Sequence, residues 1–325
     1  MADRKTGTIS QWRQLSPVLA VFRLEPAVSS RFPDYKAGQY IALRRDDCRL
    51  TKKGMDEHGR VHYVPELDEM GRQKRGPVTH SYSISSAPFE TRRDGHLEFY
   101  VVLEIGPTDG LGRLTEALFA LDPREGAQID YVDRIAGDFT LDKRAAGFES
   151  VLLVGTGTGL APFASMVKQL DHEATAGRPP GVRLTLLHAN RTPQELAYHE
   201  ELCAIGASRR FDLVYLPSVS RPGAGAPPAD GLATGRANNL LRHLFEMPLK
   251  EEEDGDAAAL ARAVRPALPG GLPREALRRR LDPAKTVVLT CGNPSSMGDI
   301  KRIAEAQGMR FEKEDWKPVS RAEQT

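Results

Sequence analysis

The residues best suited to chemistry lie where a short apolar run at 151–154 meets a glycine-rich turn at 155–162, GTGTGLAP. The apolar run predicts a buried strand, and the apolar residues that recur through 166–170 predict a helix after the turn. A glycine backbone can approach a pyrophosphate closely and can adopt positive φ angles. The helix start offers free N–H groups and the positive end of its dipole. The pattern therefore indicates an anion-binding turn formed by Gly155, Thr156, Gly157 and Thr158.

The glycine spacing differs from two common nucleotide-binding patterns. It does not match the fingerprint G-x-G-x-x-G, and no lysine follows as it does in the phosphate loop G-x-x-x-x-G-K-[ST]. A strand-to-helix turn that binds no ligand is therefore the alternative for this segment.

The composition favours an ordinary globular protein. A chain of 325 residues, 40% hydrophobic and 27% charged, is long enough for two domains. The net charge of +1 and the aromatic content of 6% give no basis for nucleic-acid binding. The N-terminus is polar, and no apolar run approaches the roughly 20 residues of a membrane span. We expect a soluble, cytoplasmic protein, and no feature of the sequence determines its oligomeric state.

The three cysteines indicate neither a metal site nor a disulfide framework. Cys48, Cys203 and Cys291 lack the spacing of a zinc site and are too few for a four-cysteine iron–sulfur cluster. An odd, sparse set fits a reducing compartment. We therefore predict no metal.

Two patterns divide the chain near residue 147. Before it, short apolar runs separated by turn signals predict an antiparallel barrel or sandwich. After it, apolar runs alternate with helical segments, which predicts a parallel sheet with right-handed crossovers. The predicted domains are 1–147 and 148–318, with a tail at 319–325.

Two stretches, 45–79 and 248–284, have the character of insertions. The first contains a possible hairpin near 61–64, and the second contains helical pieces near 257–264 and 274–281. Such long connections are either functional or surface elaborations.

The turn at 155–162 resembles the pyridine-nucleotide turn of the ferredoxin–NADP reductase superfamily, and other segments resemble the same family in the same order. HSYS at 80–83 stands where the family has an Arg-x-Tyr-Ser strand, and GRLT at 112–115 resembles its Gly-x-Leu-Ser/Thr turn. CGNP at 291–294 resembles its C-G-N-P-x-M element. The resemblance implies an α+β two-domain fold: an N-terminal antiparallel β-barrel that carries FAD, then a C-terminal α/β doubly wound domain that binds NADP(H).

The resemblance also implies roles for the flavin-binding residues. Tyr82 would pack against the isoalloxazine ring, and Ser83 would lie near flavin N5, the hydride acceptor. The turn at Gly112, with Leu114 and Thr115, would open a helix that holds the flavin phosphate. The alternative is an ordinary strand with an inward tyrosine, followed by an ordinary capped helix.

His80, next to Ser81, departs from the family, which usually has arginine at that place. A guanidinium binds a pyrophosphate through two parallel hydrogen bonds and is always charged. Histidine is only partly charged near neutral pH. The change predicts weaker flavin binding or a substitute arginine elsewhere.

Three arginines follow strand ends in the second part of the chain. Arg191 follows the second predicted strand, Arg221 follows the third, and Arg236 comes after the loop at 222–228. They resemble the H-x-x-R, S-R and G-R elements of bacterial reductases, whose arginines gather on the 2′-phosphate of NADP. NAD sites commonly use an acidic residue, and none occupies the matching place after the second strand. Taken singly, each arginine also fits an ordinary solvated surface.

Near the C-terminus the resemblance implies further site residues. Cys291 and Gly292 would lie beside the nicotinamide, with Cys291 near the hydride-donor carbon C4. Glu314 and Trp316 would take the places of a glutamate and an aromatic residue near the flavin. The implied catalytic residues are Ser83, Cys291 and Glu314. The alternatives are a buried strand-end cysteine and a plain C-terminal tail.

The resemblance implies a reductase in which NADPH passes hydride to FAD and the reduced flavin passes single electrons to a ferredoxin or flavodoxin. A dedicated reductase for an oxygenase or another electron-accepting enzyme is the first alternative. A flavin-holding regulatory subunit without hydride transfer is the second, and His80 keeps it open.

Overall fold

The computed structural model describes residues 3–55, 61–103, 113–222 and 231–314. The described chain forms two compact units. Unit 1 comprises the residues up to 35 and those from 39 to 137, and unit 2 comprises 36–38 and the residues from 138 onward. The chain therefore passes between units at residues 137 and 138, whereas the sequence pattern placed the boundary at 147.

Unit 1 is built on one antiparallel sheet. Its strands are β1 Arg4–Ser16, β2 Leu19–Glu25, β3 Tyr40–Arg49, β6 Arg75–Ser83, β7 Leu97–Val102 and β8 Gln128–Ala136. They lie in the order β6-β3-β8-β1-β2-β7. The two edges approach each other just past β6, where Ser85 N donates a hydrogen bond to Glu98 O at 2.8 Å. The sheet therefore curls toward closure, and the predicted antiparallel barrel is confirmed.

Apolar side chains from alternate strand positions fill the core of unit 1. Phe22 and Phe99 stack on neighbouring strands with ring centroids 5.1 Å apart. Two short helices, α1 Pro88–Asp94 and α2 Arg113–Phe119, accompany the sheet. Helix α2 packs against β3 and buries Leu114 and Leu118 fully.

A two-stranded excursion joins β3 to β6. It pairs β4 Thr51–Met55 with β5 Val61–Pro65 in antiparallel register. Strands β3 and β6 both extend into the 45–79 segment, so the separate excursion is confined to residues 50–74.

Unit 2 is built on a parallel sheet. Its strands are β9 Ser150–Thr156, β10 Arg183–Asn190, β11 Leu213–Val219, β12 Ala233–Thr234, β13 Thr286–Cys291 and β14 Arg310–Lys313. Their order is β12-β11-β10-β9-β13-β14, with every pair parallel. The chain winds from β9 to one edge and then returns to add β13 on the other side. The predicted doubly wound sheet is confirmed.

Helices connect the strands of unit 2. They are α3 Leu141–Arg144, α4 Ala161–Thr175, α5 His199–Ser208, α6 Ala237–Leu244, α7 Lys250–Glu253, α8 Ala257–Arg262, α9 Arg274–Arg280 and α10 Pro294–Ala306. Helices α6, α9 and α10 bury apolar side chains against Leu152, Val154 and Leu187 of the sheet. None of the helices in the described ranges has the length and apolar character needed to cross a membrane.

The 248–284 segment carries α7 to α9 and packs onto the sheet rather than standing apart. Leu277 and Leu281 belong to the core. Ala267 forms an isolated bridge with Thr234, which extends the sheet beyond β12. The segment therefore adjoins the carboxyl end of β12.

Candidate functional site

The glycine-rich turn at the end of β9 has an open, left-handed backbone at Gly157. Strand β9 passes through one turn of 3₁₀ helix, Gly157–Leu160, into α4. Gly157 has a φ of 57°, and a Cβ added there would meet no atom within 4 Å. Thr156 and Thr158 on either side are partly exposed. Such a backbone lets an anion approach its N–H groups closely.

Gly159 and Gly292 lie where the segments that follow β9 and β13 come into close contact, which leaves no room for a side chain at either position. A Cβ on Gly159 would collide with the carbonyl oxygen of Cys291, and one on Gly292 would collide with Thr156. Asn293 N donates to Thr156 Oγ1 at 2.8 Å. The glycine-rich turn and the CGNP segment thus form one structure at the carboxyl ends of β9 and β13, where the strand order reverses. Doubly wound sheets bind their ligands at this switch point.

Cys291 and Glu314 form a buried pair beside this junction. Cys291 is 2% exposed and Glu314 is 6% exposed, and the Cys291 thiol donates to Glu314 Oε2 at 2.8 Å. Burial, reinforced by the charge and hydrogen bond of Glu314, raises the pKa of Cys291 well above its ordinary value. The thiol is therefore protonated at neutral pH. The two catalytic residues predicted in unit 2 are in direct contact.

The three predicted 2′-phosphate arginines follow neighbouring strands. Arg191 comes after β10, Arg221 after β11 and Arg236 after β12. Arg221 N donates to Arg191 O at 2.7 Å, and Gly235 N donates to Val219 O at 2.9 Å. The structure therefore gathers the three arginines at the carboxyl ends of adjacent strands.

Two of these arginines are paired with buried carboxylates. Arg191 donates from Nη2 and Nε to Glu195, at 2.7 and 3.0 Å. Arg236 Nη1 lies 3.4 Å from Glu251 Oε1. Arg221 is exposed and pairs with no carboxylate in the described part of the chain. The sequence pattern missed Glu195, although its spacing of four residues from Arg191 is typical of an ion pair.

His188 lies in the same row of the sheet as the nucleotide-site candidates. It is opposite Gly155 on β9, which in turn is opposite Cys291 on β13. Its Nδ1 lies 3.1 Å from the Tyr215 hydroxyl, and its Nε2 has no hydrogen-bond partner among the described residues. Burial lowers the pKa of His188 to about 3. The imidazole is therefore neutral in the folded protein.

The predicted flavin residues lie on β6. Tyr82 is opposite Ile41 and Ser83 is opposite Tyr40 of β3. His80, Ser81 and Tyr82 are partly exposed, whereas Ser83 is buried. The ring of Tyr82 packs against the core of unit 1. A half-buried tyrosine fits both the flavin interpretation and the inward-tyrosine alternative.

Helix α2 carries the remaining flavin residues. Leu114 is fully buried in the core and Thr115 is buried beside it. The helix packs against β6 as well as β3, so Thr115 belongs to the same part of unit 1 as the HSYS strand. Gly112 and Trp316 lie outside the described residues.

Known proteins resemble this chain over both units. The family model for an oxidoreductase NAD-binding domain matches residues 153–254. A flavohemoprotein of Bordetella pertussis is 31% identical over 218 residues, which is 64% of this chain and 44% of that protein. Ferredoxin–NADP reductase A of Sorangium cellulosum is 29% identical over 240 residues, covering 71% of this chain and 68% of that one.

A solved structure shares the whole fold. The ferredoxin NADP+ reductase of Neisseria gonorrhoeae superposes with a TM-score of 0.59 at 20% identity, over 96% of this chain and 99% of that one. Together with the match to the NAD-binding domain model, this defines the class of the fold: two units with the architecture of a ferredoxin NADP+ reductase. The chain is thus similar to ferredoxin–NADP reductases in its fold and over part of its sequence. It spans less than half the length of the flavohemoproteins that it matches. The roles of the individual site residues remain predictions.

Proposed function

We propose that this chain is a flavin-dependent oxidoreductase in which NADPH delivers hydride to FAD and the reduced flavin passes single electrons to a ferredoxin or flavodoxin. The observation that carries the proposal is the junction of the glycine-rich turn with Cys291 and Gly292 at the switch point of the sheet. The related proteins support it, because two of them are ferredoxin–NADP reductases and the solved one holds FAD and NADP.

The carboxyl edge of the unit 2 sheet fits an extended dinucleotide. The open backbone at Gly157, between two partly exposed threonines, suits the pyrophosphate. The arginines after β10, β11 and β12 suit the adenosine 2′-phosphate, and Arg221 is the exposed member of the set. Cys291, at the end of β13, would lie beside the nicotinamide ring of the bound dinucleotide. Because its thiol is protonated and buried, it is a poor nucleophile and shapes the pocket without reacting.

The HSYS strand of unit 1 fits the flavin. Tyr82 offers a half-buried aromatic ring, and His80 and Ser81 offer partly exposed polar groups along the same strand. Leu114 and Thr115, with Gly112 before them, complete the proposed flavin site. When bound, FAD supplies the hydride acceptor and the one-electron chemistry. The contribution of the chain is to bind and orient both cofactors, which raises their effective concentration.

Flavin content and an acceptor panel test this proposal. The full chain, purified under mild conditions, is expected to carry FAD and to reduce a ferredoxin or a flavodoxin when NADPH is supplied. The panel contains ferredoxins and flavodoxins, each assayed with and without the chain. A colourless protein that takes up no added FAD would contradict the proposal.

A dedicated reductase for a single oxygenase or haem partner is the second candidate function. Its support is the flavohemoprotein match, in which 64% of this chain corresponds to 44% of a longer protein. This candidate predicts NADPH-dependent flavin reduction together with failure to reduce every carrier in the panel. Rapid reduction of a free ferredoxin or flavodoxin would favour the first candidate.

A further inference from the structure

The three arginines at the strand ends do not present three free positive charges. Arg191 uses Nε and Nη2 in a two-point contact with Glu195, and Arg236 faces Glu251. Within the described ranges, Arg221 alone of the three lacks an opposing carboxylate. The three arginines and the two glutamates together therefore carry a net charge of +1 rather than +3.

The fold holds both carboxylates in place. Glu195 ends the 3₁₀ turn Pro193–Glu195 and is 4% exposed, and its carbonyl oxygen accepts from Asn190 Nδ2 at 2.7 Å. Glu251 lies on α7, is 6% exposed and accepts from Asn239 Nδ2 at 2.7 Å. A buried carboxylate with fixed partners cannot simply move into solvent when an anion arrives.

These fixed carboxylates bear directly on the choice of nucleotide. A phosphomonoester such as the 2′-phosphate carries about −1.5 to −2 charges near neutral pH, whereas NAD has a neutral hydroxyl at that place. A carboxylate within a few ångströms offsets the attraction of its arginine and repels the phosphate. The same carboxylate is a suitable acceptor for a ribose hydroxyl.

Resting on the proposed function, we infer that Glu195 and Glu251 set the nucleotide selectivity of this chain. They offset Arg191 and Arg236, leave Arg221 as the arginine that recognises the 2′-phosphate, and so permit NADH to bind as well as NADPH. The opposite arrangement, in which each carboxylate orients its arginine toward the phosphate, predicts the reverse effect of removing the carboxylate.

Calorimetric titration with the adenosine halves of the two nucleotides separates these arrangements. The FAD-loaded full chain is titrated with 2′,5′-ADP and with 5′-AMP at low ionic strength, so the readout does not require hydride transfer. Glu195→Gln is expected to tighten 2′,5′-ADP binding by about tenfold and to leave 5′-AMP within about twofold. Adding Arg191→Ala to this variant removes the gain. Arg221→Ala in the natural chain removes most of the preference for 2′,5′-ADP.

Glu251→Gln provides an independent second test, and its expected gain is smaller because Arg236 lies farther from its carboxylate and is largely exposed. The matched control is Asp171→Asn. Asp171 accepts a two-point contact from Arg210, at 2.8 and 2.7 Å, away from the carboxyl edge. The control is expected to leave both affinities unchanged. The thermal unfolding midpoint of each variant checks that it is folded.

Unchanged or weakened 2′,5′-ADP binding in the folded glutamine variants overturns the inference and leaves the proposed function standing. If Glu195→Gln does not fold, Glu251→Gln decides by the same criterion. A natural chain that binds neither 2′,5′-ADP nor NADPH overturns the proposed function, and the inference with it.

Discussion

At the scale of single residues, burial sets the protonation states of the groups nearest the candidate nucleotide site. Cys291 is kept as a thiol by burial and by Glu314, and His188 is kept neutral by burial. Neither group therefore adds charge beside the position proposed for the nicotinamide. The arginines after β10 to β12 supply positive charge at the other end of the site.

His188 should make the folded protein sensitive to acid. Its pKa of about 3 in the folded state lies below the ordinary 6.5, so the unfolded chain binds the proton first as the pH falls. The stability contribution is complete above pH 6.5 and is lost progressively toward pH 3. At pH 5 the loss amounts to about 2 kcal/mol.

Urea unfolding at pH 7 and pH 5 measures this effect. His188→Gln cannot take up the proton, so it is expected to lose about 2 kcal/mol less than the natural chain between the two pH values. His172→Gln, at an exposed position on α4, is the matched control for the histidine-to-glutamine change itself. Equal losses in the natural chain and His188→Gln would show that the imidazole is not held neutral.

The thiols should differ sharply in reactivity. Cys203 is exposed, whereas Cys48 and Cys291 are buried. Brief alkylation of the native protein should therefore label Cys203 alone, and denaturation should expose all three cysteines. Partial burial raises the pKa of Cys203, so its labelling should accelerate as the pH is raised. Mass spectrometry of peptides gives the site, and native labelling of Cys291 as fast as Cys203 contradicts the described burial.

At the scale of secondary-structure elements, the candidate site depends on close approach of two strand ends. The turn after β9 touches the end of β13 at Gly159 and Gly292, where no side chain fits. Thr156 and Asn293 link the same two segments by a hydrogen bond. The backbone proposed to bind the pyrophosphate is thus held in place by contacts within the protein itself.

Gly159→Ala should disrupt this contact. Its Cβ would meet backbone atoms of the CGNP segment, so we expect a loss of about 1–3 kcal/mol in the free energy of unfolding and weaker NADPH binding. The matched control is Gly206→Ala in α5, where a Cβ meets no atom within 4 Å. That change should leave stability unchanged or raise it by roughly 0.5–1 kcal/mol. Equal thermal unfolding midpoints for the two variants would contradict the packing described.

Sequence periodicity predicted the long elements and missed the short ones. The apolar run and glycine turn of β9 and α4 were found where the structure has them, because both patterns extend over several residues. Strands β12 and β14, of two and four residues, are too short to show a period. Helix α5 begins only at His199, because a 3₁₀ turn at Pro193–Glu195 and the left-handed Tyr198 precede it.

The candidate site was predictable to the extent that its residues occur in motifs. The three arginines and Cys291 were proposed because they match motifs of the family, and the structure places all four at the ends of strands; their roles stay predictions. Glu251 contacts Arg236, and Glu314 contacts Cys291. Each pair is separated by many residues along the chain and belongs to different secondary-structure elements, so only the tertiary fold shows these contacts. Glu195 lies within one turn of Arg191, but the spacing alone does not show that the carboxylate is buried.

At the scale of the whole molecule, the chain combines an antiparallel barrel unit with a doubly wound unit, each with its own core. The same combination occurs in the ferredoxin NADP+ reductase structure whose fold the chain resembles. The proposed reaction requires both units, because the residues proposed to bind flavin lie in the first and those proposed to bind the nucleotide lie in the second. The proposed electron transfer would fail if the first unit bound no flavin or if the second unit bound no nicotinamide nucleotide.

The most direct measurement is the visible absorption of the flavin after the FAD-loaded chain is mixed with NADPH in the absence of oxygen. We predict that NADPH bleaches the flavin in a single turnover, faster than NADH does. Arg221→Ala should reduce the advantage of NADPH, whereas Arg178→Ala, at an exposed position between α4 and β10, should retain it. A bound flavin that stays oxidised in excess NADPH would contradict the proposed hydride transfer.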